Sequence, residues 1–208
     1  MLASISRKWA GATRHSRIAV TQISCLVVLI PGISKARIGE LGFATSSTPY
    51  DPFMHSVKWV LGRLDGREHD FSRVQELQEV GRRFRYHFSE PYEAASPEET
   101  AERKAGDCKD KSLWLVAQLN DISVRYVVGK LTVDSRMMHA WVAWNDGNHW
   151  WLLDPTLEKS PLRADQIRSN RYIPYYSFGK SGSRRHVPAQ KRERKRKPDR
   201  GIDWRIFQ

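Results

Sequence analysis

GDCKDKSLWLVAQLNDISVRYVVGKLTVDSRMMHAWVAWNDGNHWWLLD, residues 106–154, decides how this chain folds. From Lys109 to Leu119 the apolar residues Leu113, Trp114, Leu115, Val116, Ala117 and Leu119 fall nearly all round a helix. A helix of that kind is buried in a core and does not lie on a surface. The pattern then changes. Val124 to Val133 is rich in β-branched and aromatic residues, His139 to Trp144 alternates, and His149 to Leu153 is aromatic and aliphatic, which is how strands read. Asn145-Asp146-Gly147-Asn148 between the last two is a hairpin turn signal.

Upstream, Phe53, Val57, Val60, Leu61 and Leu64 have the spacing of an amphipathic helix. A second helix is expected from Ser72, whose hydroxyl can cap it, with Val74, Leu77, Val80, Phe84 and Phe88 as its buried stripe. Ser96-Pro97-Glu98-Glu99 supplies a cap, a proline and two acids, the composition of a short helix start. Downstream, a short helix over 163–169 and the aromatic segment Tyr172 to Phe178 are expected to finish the core. Helices followed by an antiparallel sheet make the class α+β.

The chain has 208 residues and a formal charge of +12, which points toward nucleic acid or an anionic surface only if the charge lies on the folded part. It does not. Residues 1–36 hold five basic residues and no acid, and residues 180–200 hold ten basic and two acidic; residues 37–179 hold 19 basic and 20 acidic. The folded part is therefore near neutral, and no specific nucleic-acid partner is expected. Arg7, Lys8, Arg14 and Arg17 precede the apolar run Ile18 to Ile33, followed by Ser34-Lys35-Ala36. Residues 1–36 thus read as a cleaved signal peptide, or as an uncleaved N-terminal anchor, and the protein as exported to the periplasm, cell envelope or exterior. Residues 37–52 read as a Gly, Ser, Thr and Pro linker, 53–179 as the domain, and 180–208, with Lys191-Arg192-Glu193-Arg194-Lys195-Arg196-Lys197, as a basic tail expected to be disordered. Such a tail could also touch an anionic surface.

If Cys25 leaves with the leader, Cys108 is the one cysteine of an exported chain and has no internal disulfide partner. Thiolate, not thiol, attacks a carbonyl, and a helix N-terminus favours thiolate. Gly106-Asp107-Cys108 ahead of the buried helix places Cys108 at such a point. With the hairpin turn over 145–148, Trp144 faces His149, and His139 faces Asp154 across the two strands. Trp141 shares the face of His139 and is a candidate substrate contact; Leu152 shares the face of Asp154. Nucleophile, base and orienting acid are the parts acyl transfer needs.

Gly106-Asp107-Cys108-Lys109-Asp110-Lys111-Ser112, His139-Ala140-Trp141-Val142 and Leu152-Leu153-Asp154-Pro155-Thr156 resemble the three blocks of the transglutaminase-like superfamily. The Pro-Glu-Glu-Thr stretch at 97–100 is similar to that of its bacterial cysteine proteinase branch. The resemblance covers residues 70–160. It implies a papain-like core with a cysteine helix packed on an antiparallel sheet, Cys108 as nucleophile, His139 as base and Asp154 as third member. A protein or peptide would be the substrate, and no cofactor is implied.

Cys108 as a small buried hydrophobe, and His139 as a structural histidine, are the plainer readings; the paired hairpin positions weigh against both. No metal site is expected, because there is no second mature cysteine and no two-histidine helix spacing. Gly179-Lys180-Ser181 lacks the glycine that a phosphate loop needs, since Pro174 stands there. Trp144, Trp150 and Trp151 are either a stacking surface or strand packing. Two functions stay open: a cysteine peptidase, amidase or transglutaminase, and a non-catalytic interaction domain that binds a cell-envelope partner.

Overall fold

The structure, a computed structural model, describes residues 42–90 and 92–186. The leader reading of 1–36 and the tail beyond residue 186 lie outside the described residues. In chain order the elements are β1 (Phe43–Thr45), α1 (His55–Arg63), α2 (Phe71–Arg83), β2 (Arg85–Tyr86), α3 (Pro97–Arg103), β3 (Ala105–Gly106) and α4 (Cys108–Leu119). These are followed by β4 (Arg125–Thr132), β5 (His139–Asn145), β6 (Trp150–Leu153), β7 (Leu162–Arg163), β8 (Arg171–Gly179) and β9 (Gly182–Arg185).

Helix starts follow side-chain capping. Asp70, not Ser72, opens α2, its Oδ1 accepting from Ser72 N and Arg73 N. Ser96 and Glu99 form a reciprocal capping box at α3, the arrangement expected of that sequence. The buried stripe of α2 ends earlier than the periodicity predicts, because Arg85–Tyr86 leaves the helix to pair in parallel with Ala105–Gly106. Phe88 is therefore 52% exposed.

α4 is the central helix, and Leu113, Leu115 and Val116 have no exposed surface. One face of α4 packs on α1, α2 and α3, the other on the sheet through Tyr126, Val128, Ala140, Val142, Trp144 and Leu153. The seven-stranded sheet has the order β1-β9-β8-β4-β5-β6-β7 with every pair antiparallel. Its opposite face carries a smaller core of Val127, Trp141, Ala143, Leu152, Ala164 and Tyr172. This is the α+β architecture expected, with the cysteine helix on an antiparallel sheet.

Three local expectations are corrected. The linker over 37–52 contains β1, and the tail beginning at 180 contains β9; the two pair with each other, Ala44 opposite Arg184, so the sheet runs past 53–179 on both sides. The helix over 163–169 is a strand residue pair and a single 3-10 turn, Ala164–Gln166. Leu162 and Ala164 face the back core there, and covering a sheet edge takes less length than a helix.

The hairpin also departs from its expected register. Asn145 stands opposite Trp150 and Trp144 opposite Trp151, so the loop is 146–149 and the register differs by two residues from the expected one. Asp146 sets it: Oδ1 accepts from Asn148 N and His149 N at 2.7 Å each, and Oδ2 accepts from Trp151 Nε1 at 2.8 Å. Because side chains alternate with period two, a two-residue shift keeps every residue on its face.

Candidate active site

The site lies at one end of the sheet, where the N-terminus of α4 meets the start of β5 and the residue just past β6. Asp107 caps α4 with Oδ1, which accepts from Lys109 N at 3.0 Å, and Asp110 Oδ2 accepts back from Asp107 N at 3.2 Å. A Cβ on Gly106 would stand 2.7 Å from the Asp110 Cβ, so the box closes only over a glycine. Lys109, 2% exposed, turns inward: its Nζ donates to Asp107 Oδ2 and to Ser89 O and Oγ, both at 2.9 Å. Burial raises the Asp110 pKa, partly offset by the Ala95 N–H that the carboxylate accepts. The loop before Cys108 is thus held by buried charge on both sides, while Cys108 itself is half-buried.

His139 and Asp154 come together as a pair. His139 Nε2 is 2.7 Å from Asp154 Oδ2, although the shifted register puts Asp154 one step diagonal to His139, opposite Trp141. Diagonal neighbours on one face are within reach of long side chains. Asp154 has no exposed surface and His139 only 9%. Asp154 Oδ1 accepts from Thr156 N at 2.8 Å and Leu157 N at 3.2 Å, so the carboxylate is fixed by its own turn. Burial works against a charged imidazole, but the Asp154 hydrogen bond and then the neighbouring Cys108 sulfur outweigh it, and the His139 pKa is pushed up to about 10. With Nε2 on Asp154, Nδ1 is the nitrogen left for Cys108. His139 and Asp154 are in direct contact, and Cys108 opens α4 near the imidazole.

Trp141 does not take the role expected of it. It has no exposed surface, and its ring stacks on the imidazole with centroids 6.0 Å apart and planes at 27°. It backs the histidine and cannot touch substrate. Trp144 is equally buried, with Nε1 donating to Asp121 Oδ2 at 2.9 Å, and Trp151 packs on Phe71 at 4.6 Å. Trp150, half-buried, packs against the back core, so Trp144, Trp150 and Trp151 are all packing residues. His149 lies at the hairpin tip beside Asp146. Among the described residues no cluster of His, Cys, Asp or Glu could hold a metal ion.

Sequence reasoning missed two residues. Tyr172 OH stands 2.8 Å from Asp154 Oδ2 and 2.8 Å from Glu158 Oε1, and Arg171 Nη2 donates to Glu158 Oε1 at 2.8 Å. Tyr172 was legible only as part of an aromatic strand; Glu158, four residues after Asp154, gives the one local hint.

Residues 60–155 match the model of the transglutaminase-like superfamily. No curated protein matches the chain in sequence. Among solved structures, LapG of Legionella pneumophila superposes with a TM-score of 0.44 at 15% identity over 65% of this chain and 77% of that one. Its calcium-bound form gives 0.45 at 15% identity, over 65% and 77%. A Cytophaga hutchinsonii protein described as a candidate cysteine protease gives 0.37 at 18% identity, over 54% and 42%. With the helix-borne cysteine, the strand histidine and the aspartate in the order of that family's blocks, the segment over residues 60–155 is similar to the transglutaminase-like superfamily.

Proposed function

We propose that the protein is a thiol-dependent acyl-transfer enzyme that cleaves peptide or amide bonds of a protein or peptide substrate. One observation carries the reading: His139 Nε2 lies 2.7 Å from the buried Asp154 carboxylate, and Cys108 at the start of α4 is near enough to help raise the imidazole pKa. Cys108 Sγ, its proton already held on His139 as the imidazolium, attacks the carbonyl carbon as thiolate. The negative oxygen that forms can be met by the backbone N–H of Cys108, which opens α4 and has no acceptor among the described residues. His139 then protonates the leaving amine, the C–N bond breaks, and a thioester on Cys108 remains. Water, deprotonated by the neutral imidazole, attacks the thioester and restores the thiol. A primary amine in place of water gives transfer; hydrolysis is the reading favoured, on the branch that Pro97 to Thr100 resembles.

Exposed Tyr86 and Phe88, 54% and 52% accessible, lie on the Cys108 side of the site, Phe88 with the Lys109 ammonium 5.8 Å from its ring. They fit a peptide with apolar side chains better than a small polar amide. On the leader reading of residues 1–36, the enzyme works outside the cytoplasm.

The test uses the full chain and peptide libraries, with and without a primary amine, read by mass spectrometry. Wild type is expected to release shortened peptides. Cys108→Ala and His139→Ala should each lose roughly 10³-fold or more in rate, because a triad acts as a unit. Cleavage that survives Cys108→Ala would sink the proposal. Iodoacetamide alkylation of Cys108 at pH 6, fast in wild type and slow in His139→Ala, gives a readout that needs no substrate.

A further inference from the structure

The hydroxyl of Tyr172 holds one proton and faces two carboxylates. Its oxygen is 2.8 Å from Asp154 Oδ2 and 2.8 Å from Glu158 Oε1, and a phenol can donate to only one of them at a time. The Asp154 oxygen concerned is also the one that receives His139 Nε2. Tyr172 is 2% exposed and sits at φ 51°, a left-handed conformation that is rare for an aromatic residue and persists where surrounding contacts impose it. Those contacts are visible. The ring meets Trp141 edge-on at 5.5 Å and lies 6.3 Å from the imidazole. Glu158 is aimed at the hydroxyl by its own turn, Glu158 N donating to Asp154 O at 3.1 Å, and by Gln78 Nε2, which donates to Glu158 O at 2.9 Å.

We infer that Tyr172 and Glu158 are a positioning pair behind the triad, in which Glu158 competes with Asp154 for the single Tyr172 proton and so sets how firmly Asp154 holds the His139 imidazolium. When the phenol donates to Asp154, it draws charge from the oxygen that faces the imidazole, and Asp154 becomes the weaker base. When the phenol donates to Glu158, Asp154 recovers that charge. Arg171 binds Glu158 and lies over the Tyr172 ring at 5.3 Å, which weakens Glu158 as a competitor. The other charged groups facing the pair are Cys108 and Lys111 from α4, the latter within the field of Asp154, and Arg82 from α2 beside Lys111. Only Cys108 and His139 among these exchange protons in the working cycle. The inference rests on the acid–base reading of Cys108 and His139 given above.

The experiment follows His139 directly, by NMR of the full-length protein labelled with ¹⁵N and ¹³C histidine, titrated from pH 5 to about 11; His139→Gln assigns the signal. Tyr172→Phe removes a donor from Asp154, and the His139 midpoint should rise by about half a unit or more. Glu158→Gln should lower it, since the amide releases the phenolic proton to Asp154. A plain field effect of the lost Glu158 charge would also lower it, so the decisive measurement is Glu158→Gln in the Tyr172→Phe background, where the downward shift should shrink to less than half. An equal shift in both backgrounds, or no rise in Tyr172→Phe, overturns the inference. Should Tyr172→Phe not fold, Arg171→Met frees Glu158 to take the proton and should raise the midpoint; no rise there overturns it equally. Cys108→Ala separates the two readings: a lower His139 midpoint is expected if the thiol and imidazole are partners, whatever the Tyr172 variants do.

Discussion

At the scale of single residues the site depends on small distances. Gly129 of β4 stands opposite His139 in β5 and opposite Pro174 in β8, at the point where the β8 register shifts. A Cβ at Gly129 would lie 2.1 Å from Ile173 O and 2.7 Å from the Trp141 ring. Gly129→Ala must therefore move either a central strand or the indole that supports the imidazole. It is expected to cost about 1–3 kcal/mol in urea unfolding and to slow Cys108 alkylation in step, because Trp141 would be pushed toward His139. His139 also makes stability depend on pH. Its folded pKa is raised from 6.5 to about 10, so the imidazolium–Asp154 contribution is fully present below pH 6.5 and is lost as pH rises through about 10. Thermal melts of wild type should fall across that window, and those of Asp154→Asn, which lacks the partner charge, should fall much less. Equal slopes would mean that another group carries the dependence.

At the scale of elements, the start of α4 is a buried charge cluster. Lys109 and Asp107 are each 2% exposed and Asp110 3%, and breaking such a cluster leaves a charge without compensation. Lys109→Met should cost about 3–5 kcal/mol, and the double variant Lys109→Met/Asp107→Asn should recover part of that, measured by urea unfolding. This cluster also shows where sequence reading stops. The buried helix, its Cys108 start, the Ser96 cap and the strand order of β4, β5 and β6 follow from local period and capping, and all were legible. The hairpin register was not, because it depends on which turn amides Asp146 accepts, and a carboxylate in a turn can serve several loop lengths. Parity rescued the inference: a shift of two residues left His139 and Asp154 on one face, and a longer side-chain reach replaced direct opposition. Lys109 and Lys111 are charged, yet both are buried because the end of α2 and the segment at Ser89 close over them. Tyr172 was hidden for a related reason, since its partner Asp154 lies 18 residues away in sequence.

At the scale of the whole molecule, the pairing of β1 with β9 decides where the domain ends. Composition alone places the boundary at Gly179, because charge begins to accumulate there. The sheet does not stop at that point. Gly182 O accepts from Arg125 Nη2 at 2.9 Å, Lys180 Nζ donates to Leu64 O, and His186 Nε2 is 2.8 Å from Ser177 Oγ. Arg125 is 7% exposed, and without β9 its guanidinium keeps only the two bonds to Ser177, at 2.8 and 3.0 Å. Burial is the main cause that lowers its pKa to about 10, with Arg184 of β9 itself adding to it, so without β9 the remaining bonds still hold a buried charge. A chain ending at Gly179 also turns β8, with Tyr175, Tyr176 and Phe178, into an open sheet edge, a surface that invites pairing with other chains. Compared with a chain ending at His186, it should be less stable by about 2–4 kcal/mol, from at least one lost bond to a charged group plus the strand pairing. It should also show self-association by light scattering at concentrations where the longer chain stays monodisperse. Equal stability of the two chains would place the working edge of the domain at β8 and remove β9 from the set of elements that hold Arg125.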